Sequence, residues 1–236
     1  MLEATGLTKT FGGFTALNEV DLTIGAGERV ALIGPNGSGK STFVNCIAGA
    51  FPVTRGAVRY LGQDVTAMPA WRRARMGMAR SFQIPRPFRG LTVEENVEIP
   101  LMFRGRGEGL RAAEHDAPAL LERVGLAHKA HHPPSSLTQV ELRKLELSRA
   151  LAGSPRLLIA DEVMAGLSDS EVDEILDLLI RLNESGIAIL MIEHIMRAVM
   201  RFAQRIAVLV AGRKLADGDP QEVMRHPEVV GAYLGQ

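Results

Sequence analysis

The chain has 236 residues, and its 27 basic and 27 acidic side chains give a formal net charge of zero. This length is sufficient for one α/β domain with a large buried core. Nucleic-acid-binding surfaces generally carry a basic excess, so the balanced charge argues against nucleic acid as a partner. The single cysteine, Cys46, excludes a disulfide within one chain and a zinc site built from several thiolates, and it favours a reducing cytoplasm.

The N-terminal third predicts strands followed by one helix. Apolar and polar residues mix over residues 1–24, with a glycine pair between them, which predicts short half-buried strands joined by turns. Residues 29–33 predict a further strand, and a helix is predicted for residues 40–48, with Gly49 as its stop. Strand, glycine-rich turn and helix therefore follow in the order that a phosphate site requires.

The turn itself matches the P-loop pattern, in which backbone N–H groups close around phosphate oxygens. Lys40 is expected to neutralise charge on the β- and γ-phosphates, and Ser41 to bind Mg²⁺. A glycine-rich turn without a ligand is the alternative, but the flanking strand and helix disfavour it. The residues predicted to bind nucleotide here are Gly34, Pro35, Asn36, Gly37, Ser38, Gly39, Lys40, Ser41 and Thr42.

A change of composition marks residues 86–154, where prolines separate helix-like segments. Two segments begin with a capping box, in which two side chains three positions apart each bond the other's backbone N–H. The pairs are Thr92 with Glu95, and Thr138 with Glu141. We therefore predict one domain over residues 1–236, with an inserted helical lobe at 86–154 and a catalytic core formed by 1–85 and 155–236.

An acidic pair follows the strand predicted at residues 157–160. Asp161 is expected to hold the metal through water, and Glu162 to polarise the attacking water. Adjacent residues alternate faces along a strand, so both carboxylates reach one site only at its C-terminal end, which is where α/β sheets bind ligands. Taken alone, the pair is also compatible with an exposed strand end of no special function.

The remaining elements predict a largely parallel sheet. A helix is predicted at residues 170–183 and a strand at 187–192, before a last strand pair and a short helix. His194 follows the strand at 187–192, where its imidazole could contact the γ-phosphate. A lone histidine is usually structural, but the order of P-loop, acidic pair and histidine favours the functional interpretation.

Over nearly its whole length the chain resembles the ATP-binding subunits of ABC transporters. The resemblance implies an α/β fold with a P-loop NTPase core of the RecA-like type, an antiparallel β subdomain and an inserted helical lobe. It implies ATP and Mg²⁺ as cofactors and Phe11 as an adenine-stacking aromatic. The implied catalytic set is Lys40, Gln83, Glu162 and His194, and the implied metal-binding set is Ser41, Gln83 and Asp161.

Within that family the chain is similar to the branched-chain amino acid importer group, through residues 80–83, 91–97, 192–194 and 232–235. The resemblance implies a head-to-tail pair of ATPase subunits, identical or different, around two ATP molecules. The implied partners are integral membrane permease subunits and, indirectly, an extracytoplasmic solute-binding protein. The expected location is cytoplasmic, on the inner face of the cell membrane.

The family signature Leu-Ser-Gly-Gly-Gln stands here as Leu137-Thr138-Gln139-Val140-Glu141. Thr138 keeps the hydroxyl and is expected to contact nucleotide bound by the partner subunit. Val140 is expected to place a branched side chain where the second glycine allows close approach. The Glu141 carboxylate either satisfies the N–H groups at the helix start or repels the nucleotide, so we expect weakened closure and pairing with a different ATPase subunit.

Two smaller departures concern the segment after Asp161. Val163 replaces the family's proline, and Ser168 replaces its aspartate. Other functions stay open: an ABC-type ATPase of repair or translation, another ABC transport system such as lipopolysaccharide export, or a metabolic P-loop kinase. Repair and translation proteins of this type usually carry two cores or a long coiled coil, and neither pattern occurs in this sequence.

Several surface features complete the predictions. Pro87, Phe88 and Leu91 are candidates for permease contact, and the pair His131 and His132 predicts a surface loop instead of a metal site. A solvated lobe surface, with permease contact or nucleic-acid binding as the alternatives, is predicted for Arg72, Arg73, Arg75, Arg80, Arg86 and Arg89.

Overall fold

The structure is a computed structural model that describes residues 1–82, 85–103 and 109–234. Its described strands form two sheets. The strands are β1 (Leu2–Phe11), β2 (Phe14–Ile24), β3 (Arg29–Ile33), β4 (Arg55–Tyr60), β5 (Gln63–Asp64), β6 (Met78–Ser81), β7 (Leu157–Asp161), β8 (Ala188–Ile192), β9 (Arg205–Val210) and β10 (Arg213–Gly218).

The larger sheet has six strands in the order β10-β9-β3-β8-β7-β6. All neighbours are parallel except β10, which runs antiparallel to β9 at one edge. Strands β7 and β8 are buried at every position, because both faces of a parallel sheet are covered, and they therefore appear in the sequence as uninterrupted apolar runs. The predicted, largely parallel sheet is confirmed.

The smaller sheet has four antiparallel strands in the order β2-β1-β4-β5. It packs over one face of the larger sheet, and the first helix of the chain lies in the same apolar cluster. Phe43 and Ile47 of that helix, Leu7 of β1 and Leu190 of β8 belong to this cluster. The expected antiparallel β subdomain is thus present, with longer strands than the sequence pattern indicated.

The described helices are α1 (Lys40–Ile47), α2 (Ala70–Arg75), α3 (Val93–Met102), α4 (Gly109–Val124), α5 (Gln139–Leu151), α6 (Asp169–Glu184), α7 (Met196–Phe202), α8 (Pro220–Arg225) and α9 (Pro227–Leu234). Capping boxes open α3 and α5 as predicted. Helix α6 extends the predicted 170–183 by one residue at each end. None of the helices in these described ranges is long and apolar enough to cross a membrane.

Helices α3, α4 and α5 pack on one another in the region predicted as a helical lobe. Between Phe82 and Arg156 the described residues contain no strand. The apolar cluster inside these helices continues without a break onto the sheet, joining Val97 and Leu121 to Leu158 and Ile189. The division at 85/86 and 154/155 stays a prediction, because the packing alone shows no boundary there.

Arg73 is buried, so its prediction as a solvated arginine was wrong. Its Nη1 atom donates to the Cys46 and Ile47 carbonyl oxygens at 2.9 and 2.6 Å, and its Nε atom to that of Met68 at 2.9 Å. The last carbonyls of a helix have no partner within the helix, and a cation is favoured there. Arg73 therefore closes the C-terminal end of α1, and burial lowers the pKa of its guanidinium.

Candidate functional site

Four neighbouring parallel strands end at one edge of the larger sheet. The loop at residues 34–39 follows β3, His194 follows β8 by two residues, and Asp161 and Glu162 close β7. Strand β6 leads towards Gln83, which lies outside the described residues. The loop, the acidic pair and the histidine are therefore brought to one edge, where parallel α/β sheets bind ligands.

The loop at residues 34–39 is tightly packed against neighbouring backbone. Gly34 has φ 151°, and a Cβ atom there would lie 2.1 Å from the Leu209 carbonyl oxygen. At Gly39, with φ 104°, a Cβ atom would lie 2.7 Å from the Ala16 carbonyl oxygen. Only glycine avoids these collisions, and the Lys40 Nζ atom ties the loop together by donating to the Gly34 carbonyl oxygen at 2.7 Å.

Polar groups of this loop are left for a ligand. Gly39 begins α1 without a side-chain cap, so the first N–H groups of the helix face the loop without such a partner. The Ser38 Oγ atom is buried and has no hydrogen-bond partner within the described residues. A phosphate group fits such a cradle, because its oxygens accept hydrogen bonds and its charge favours a helix N-terminus.

Lys40 lies close to the acidic pair. Burial lowers the pKa of the Lys40 ammonium, while the Glu162 and Asp161 carboxylates oppose that shift. The Ser41 hydroxyl and the Asp161 carboxylate are oxygen donors, which Mg²⁺ prefers. The residues present at this edge therefore fit both a nucleotide phosphate and its magnesium ion.

Arg80 forms an ion pair with Asp161, so its assignment to a solvated lobe surface was also wrong. Its Nη2 atom lies 2.7 Å from the Asp161 carboxylate, and its Nη1 atom lies 2.7 Å from the Asn45 side-chain oxygen. The sequence contains one indication that Arg80 is partly buried. Arg80 lies before Ser81 in a mostly apolar stretch, and that stretch forms strand β6 beside β7. Arg80 is a residue of the site that sequence reasoning missed.

Glu162 has an unusual backbone conformation. Its φ is 49°, in the left-handed region that residues other than glycine rarely adopt. The Glu162 N–H donates to the Ile192 carbonyl oxygen at 2.9 Å, which ties the residue to the end of β8. Such strain persists only where surrounding structure imposes it, and it concentrates at functional sites.

The two remaining predicted nucleotide contacts are Phe11 and Thr138. Phe11, at the end of β1, is 43% exposed, and its ring lies 4.8 Å from the Lys9 ammonium and meets Phe51 edge-on at 5.6 Å. Thr138 opens α5, and no hydrogen bond found among the described residues joins it to the P-loop. Both therefore stay predictions, one for the base and the other for a partner's nucleotide.

The Val140 side chain, at the position of the second signature glycine, packs inside the lobe. It is 9% exposed and belongs to the apolar cluster of the lobe, whereas Thr138 and Gln139 are exposed. The first turn of α5 therefore directs Val140 inwards, and the expected effect of its branched side chain on close approach to a partner's nucleotide stays a prediction. The helix start differs at the last signature position, where Glu141 stands in place of the family's glutamine and accepts from the Thr138 N–H at 2.8 Å.

Comparison with known proteins shows the family of the chain. A family profile described as ABC transporter matches residues 17–165, and one described as Branched-chain amino acid ATP-binding cassette transporter matches residues 213–236. The chain is 37% identical to the high-affinity branched-chain amino acid transport ATP-binding protein LivG of Escherichia coli strain K12. That match covers 100% of this chain and 98% of the relative.

Solved structures with the same architecture include the ADP conformation of an ATP-binding cassette of an ABC transporter. It matches with a TM-score of 0.89 and 28% identity, over 100% of this chain and 99% of that one. A dimeric cassette in a post-hydrolysis state, bound to ADP and phosphate, matches with a TM-score of 0.83 and 29% identity, over 93% and 99% of the two chains.

The fold and the strand-edge site define a P-loop ATPase of the cassette type. The chain belongs to the ABC transporter family.

Proposed function

We propose that this chain is the subunit that binds and hydrolyses ATP for an importer of branched-chain or related amino acids and amides, on the cytoplasmic face of the cell membrane. The main support for the proposal is the loop at residues 34–39. Its Ser38 hydroxyl and the N–H groups at the start of α1 lie at the same sheet edge as Asp161 and Glu162. The solute class is supported by the likeness to LivG and by the profile match over residues 213–236.

The reaction is transfer of the γ-phosphoryl group to water. Mg²⁺ bound to ATP supplies charge neutralisation on the phosphates. Lys40 and the N–H groups at the start of α1 bind the phosphates, while Ser41, Asp161 and, in the proposal, Gln83 hold the ion. Glu162 orients and polarises the attacking water. His194 contacts the γ-phosphate, so departure of that phosphate removes a contact at the end of β8.

The start of α5 supports a pair of two different ATPase subunits. Glu141 accepts from the Thr138 N–H at 2.8 Å, and the Glu141 N–H donates to the Thr138 hydroxyl at 3.3 Å. Burial alone would raise the pKa of the Glu141 carboxyl, but the bonds from Thr138 and the charge of Lys129 hold it below its usual value. An ionised carboxylate therefore occupies the helix start, and we propose that this half of the dimer covers its partner's nucleotide weakly.

A groove of about 620 Å³ between α2, α3 and α5 supports permease docking on this face. Trp71 and Phe103 line it and are 54% and 67% exposed, and Arg75 and Arg149 line it as well. The described lining residues include no aspartate or glutamate. We propose that the permease element seated here carries a carboxylate that pairs with Arg75, which is exposed, whereas Arg149 is already paired with Glu146 at 3.0 Å.

Phe88, one of the three residues predicted to contact a permease, lies next to this groove in a fixed position. Asn96 holds its backbone from both sides, accepting from the Phe88 N–H at 2.7 Å and donating to its carbonyl oxygen at 3.0 Å. The Arg149 guanidinium lies 5.0 Å from the Phe88 ring. A half-exposed aromatic ring held in this way is suited to a stable contact.

The experiment that tests the function compares the wild-type chain with a Glu162→Gln variant. The variant should bind Mg-ATP with unchanged affinity and lose most of its turnover, by about 100-fold or more, because the amide cannot polarise water as the carboxylate does. Unchanged hydrolysis in the variant would refute the assignment. Co-purification of the chain with an integral membrane permease would distinguish transport from the repair, translation and kinase alternatives.

A further inference from the structure

The turn that carries Glu162 is held by two buried charged residues outside the proposed catalytic set. The Glu193 Oε1 atom accepts from the Met164 N–H at 2.9 Å, and the Arg143 Nη2 atom donates to the Ala165 carbonyl oxygen at 3.0 Å. Glu193 directly precedes His194 at the end of β8, whereas Arg143 lies on α5 of the lobe. Two consecutive residues of the turn are thus held from two different elements.

These contacts are made where neither charge is easily accommodated. Glu193 is 1% exposed and Arg143 is 7% exposed. Burial lowers the pKa of the Arg143 guanidinium, while the nearby Glu193 and Glu146 carboxylates oppose that shift. Charged side chains are buried at a free-energy cost unless they are paired and hydrogen-bonded, and these two make their hydrogen bonds to the backbone of one turn.

The turn has a local reason to need such support. Glu162 is in the left-handed conformation, with φ 49°. Val163 follows it, and valine leaves the backbone N–H and the φ angle free, unlike the proline that the resembling family has there. Without that restraint, the turn depends more on hydrogen bonds, both its own from the Ala165 N–H to the Glu162 carbonyl oxygen at 3.2 Å and those from outside it.

We infer that Glu193 and Arg143 are positioning residues for Glu162, and that they link the orientation of its carboxylate to the lobe through α5 and to His194 through β8. Neither side chain touches the nucleotide in this account. The inference rests on the proposed hydrolysis at Glu162, and it adds that displacement of α5 relative to the sheet moves the turn through the bond from Arg143 to Ala165.

The test compares Glu193→Ala, Glu193→Gln and Arg143→Met in the full chain. Glu193→Ala removes the acceptor for the Met164 N–H, and we expect a kcat about 10- to 100-fold lower with an ATP dissociation constant changed by less than about twofold. Glu193→Gln keeps an oxygen acceptor and should restore kcat to within about threefold of wild type. Arg143→Met should act as Glu193→Ala does.

A matched control is Glu28→Ala. Glu28 directly precedes β3, so it lies at the end of that strand away from the loop at residues 34–39. Glu28 also holds a turn, since its Oε2 atom accepts from the Gly25 N–H at 2.6 Å, and it pairs with Arg205 at 2.7 Å. This variant should lower the melting temperature and leave kcat unchanged. A similar loss of kcat in Glu28→Ala would show that general destabilisation explains the effect, and would overturn the inference.

Hydrogen exchange supplies a readout that does not depend on turnover. Amides of residues 162–166 should exchange faster in Glu193→Ala and Arg143→Met than in wild type, with the exchange of α6 unchanged. If Glu193→Ala shows the same hydrogen exchange and the same kcat as wild type, the inference is overturned and the proposed function stays intact. Failure of the proposed function would instead appear as equal hydrolysis by wild type and Glu162→Gln.

Discussion

The Arg80 guanidinium donates a 2.7 Å hydrogen bond to the carboxylate of Asp161, the residue proposed to hold magnesium. A second bond of 2.7 Å reaches the Asn45 side-chain oxygen, so one cation joins β6, β7 and α1. Asp161 is 6% exposed and would be an unpaired buried charge without it. Arg80 thus stabilises, when no ion is bound, the carboxylate that is proposed to hold magnesium.

The first prediction concerns Arg80→Met. Removing the guanidinium leaves Asp161 buried and unpaired, so the metal-free variant should lose roughly 3 kcal/mol of unfolding free energy. Mg-ATP should recover more stability in this variant than in wild type, because the ion then replaces the guanidinium as a counter-charge beside Asp161. Urea unfolding with EDTA and with Mg-ATP measures both effects. Arg72→Met, which removes an exposed arginine near Trp71, is the control, and an equal response of the two variants would contradict the prediction.

The second prediction concerns the phosphate loop. In Gly34→Ala the new Cβ atom would lie 2.1 Å from the Leu209 carbonyl oxygen, which forces the backbone to move. We expect a loss of about 2–4 kcal/mol in unfolding free energy together with weaker ATP binding. Gly37→Ala is the matched control, because its Cβ meets nothing within 4 Å although its φ is also positive, at 76°. That control should lose only about 1 kcal/mol.

The third prediction concerns Arg73→Met. The substitution removes the guanidinium donor from four carbonyl oxygens, those of Cys46, Ile47, Thr66 and Met68, of which that of Cys46 keeps the Gly49 N–H at 3.2 Å. We expect a loss of about 3 kcal/mol in unfolding free energy, measured by chemical denaturation. Arg75→Met, which removes an exposed arginine of the same helix, should change stability by less than about 0.5 kcal/mol. Equal losses would show that Arg73 contributes no more than a surface residue.

The fourth prediction is a pH dependence of stability. Burial raises the pKa of the Glu193 carboxyl above its ordinary 4.5, so the folded chain binds a proton there more tightly than the unfolded chain does. The stability contributed by this group is present below pH 4.5 and is lost as the pH rises through the raised pKa. The unfolding free energy of Glu193→Gln, measured relative to wild type, should therefore increase as the pH rises above 4.5.

Glu171→Gln provides a control of opposite sign. Hydrogen bonds from the backbone and side chain of Ser168 lower the pKa of the Glu171 carboxyl, so its contribution is present above the ordinary pKa and lost as the pH falls. The Gln variant at this position should lose stability relative to wild type as the pH rises towards 4.5, and the difference should stay constant above 4.5, where Glu193→Gln gains stability. Parallel pH profiles for the two variants would contradict both assignments.

Local patterns in the sequence predicted most of the fold. The apolar run at 157–160 became β7, and the capping boxes at Thr92 and Thr138 begin α3 and α5, because strand burial and helix caps depend on neighbouring residues. The placement of the acidic pair beside the loop also followed, since parallel strands share one C-terminal edge.

Buried arginines were not predictable in the same way. Arg80 meets Asp161, 81 positions away in the chain, and Arg73 meets a carbonyl 27 positions away, so their partners are defined only by the tertiary fold. The hydrogen bond from the Met164 N–H to Glu193, which holds the turn after Glu162, also joins residues far apart in the chain. Such long-range pairs leave no periodic pattern in the sequence.

The account depends most directly on nucleotide binding at Lys40, which isothermal titration calorimetry of the purified chain with Mg-ATP measures. We predict a saturable heat of binding for the wild-type chain that disappears in Lys40→Ala while the variant keeps its circular dichroism spectrum. The absence of heat in the wild type, or the same heat in the folded variant, would contradict the account.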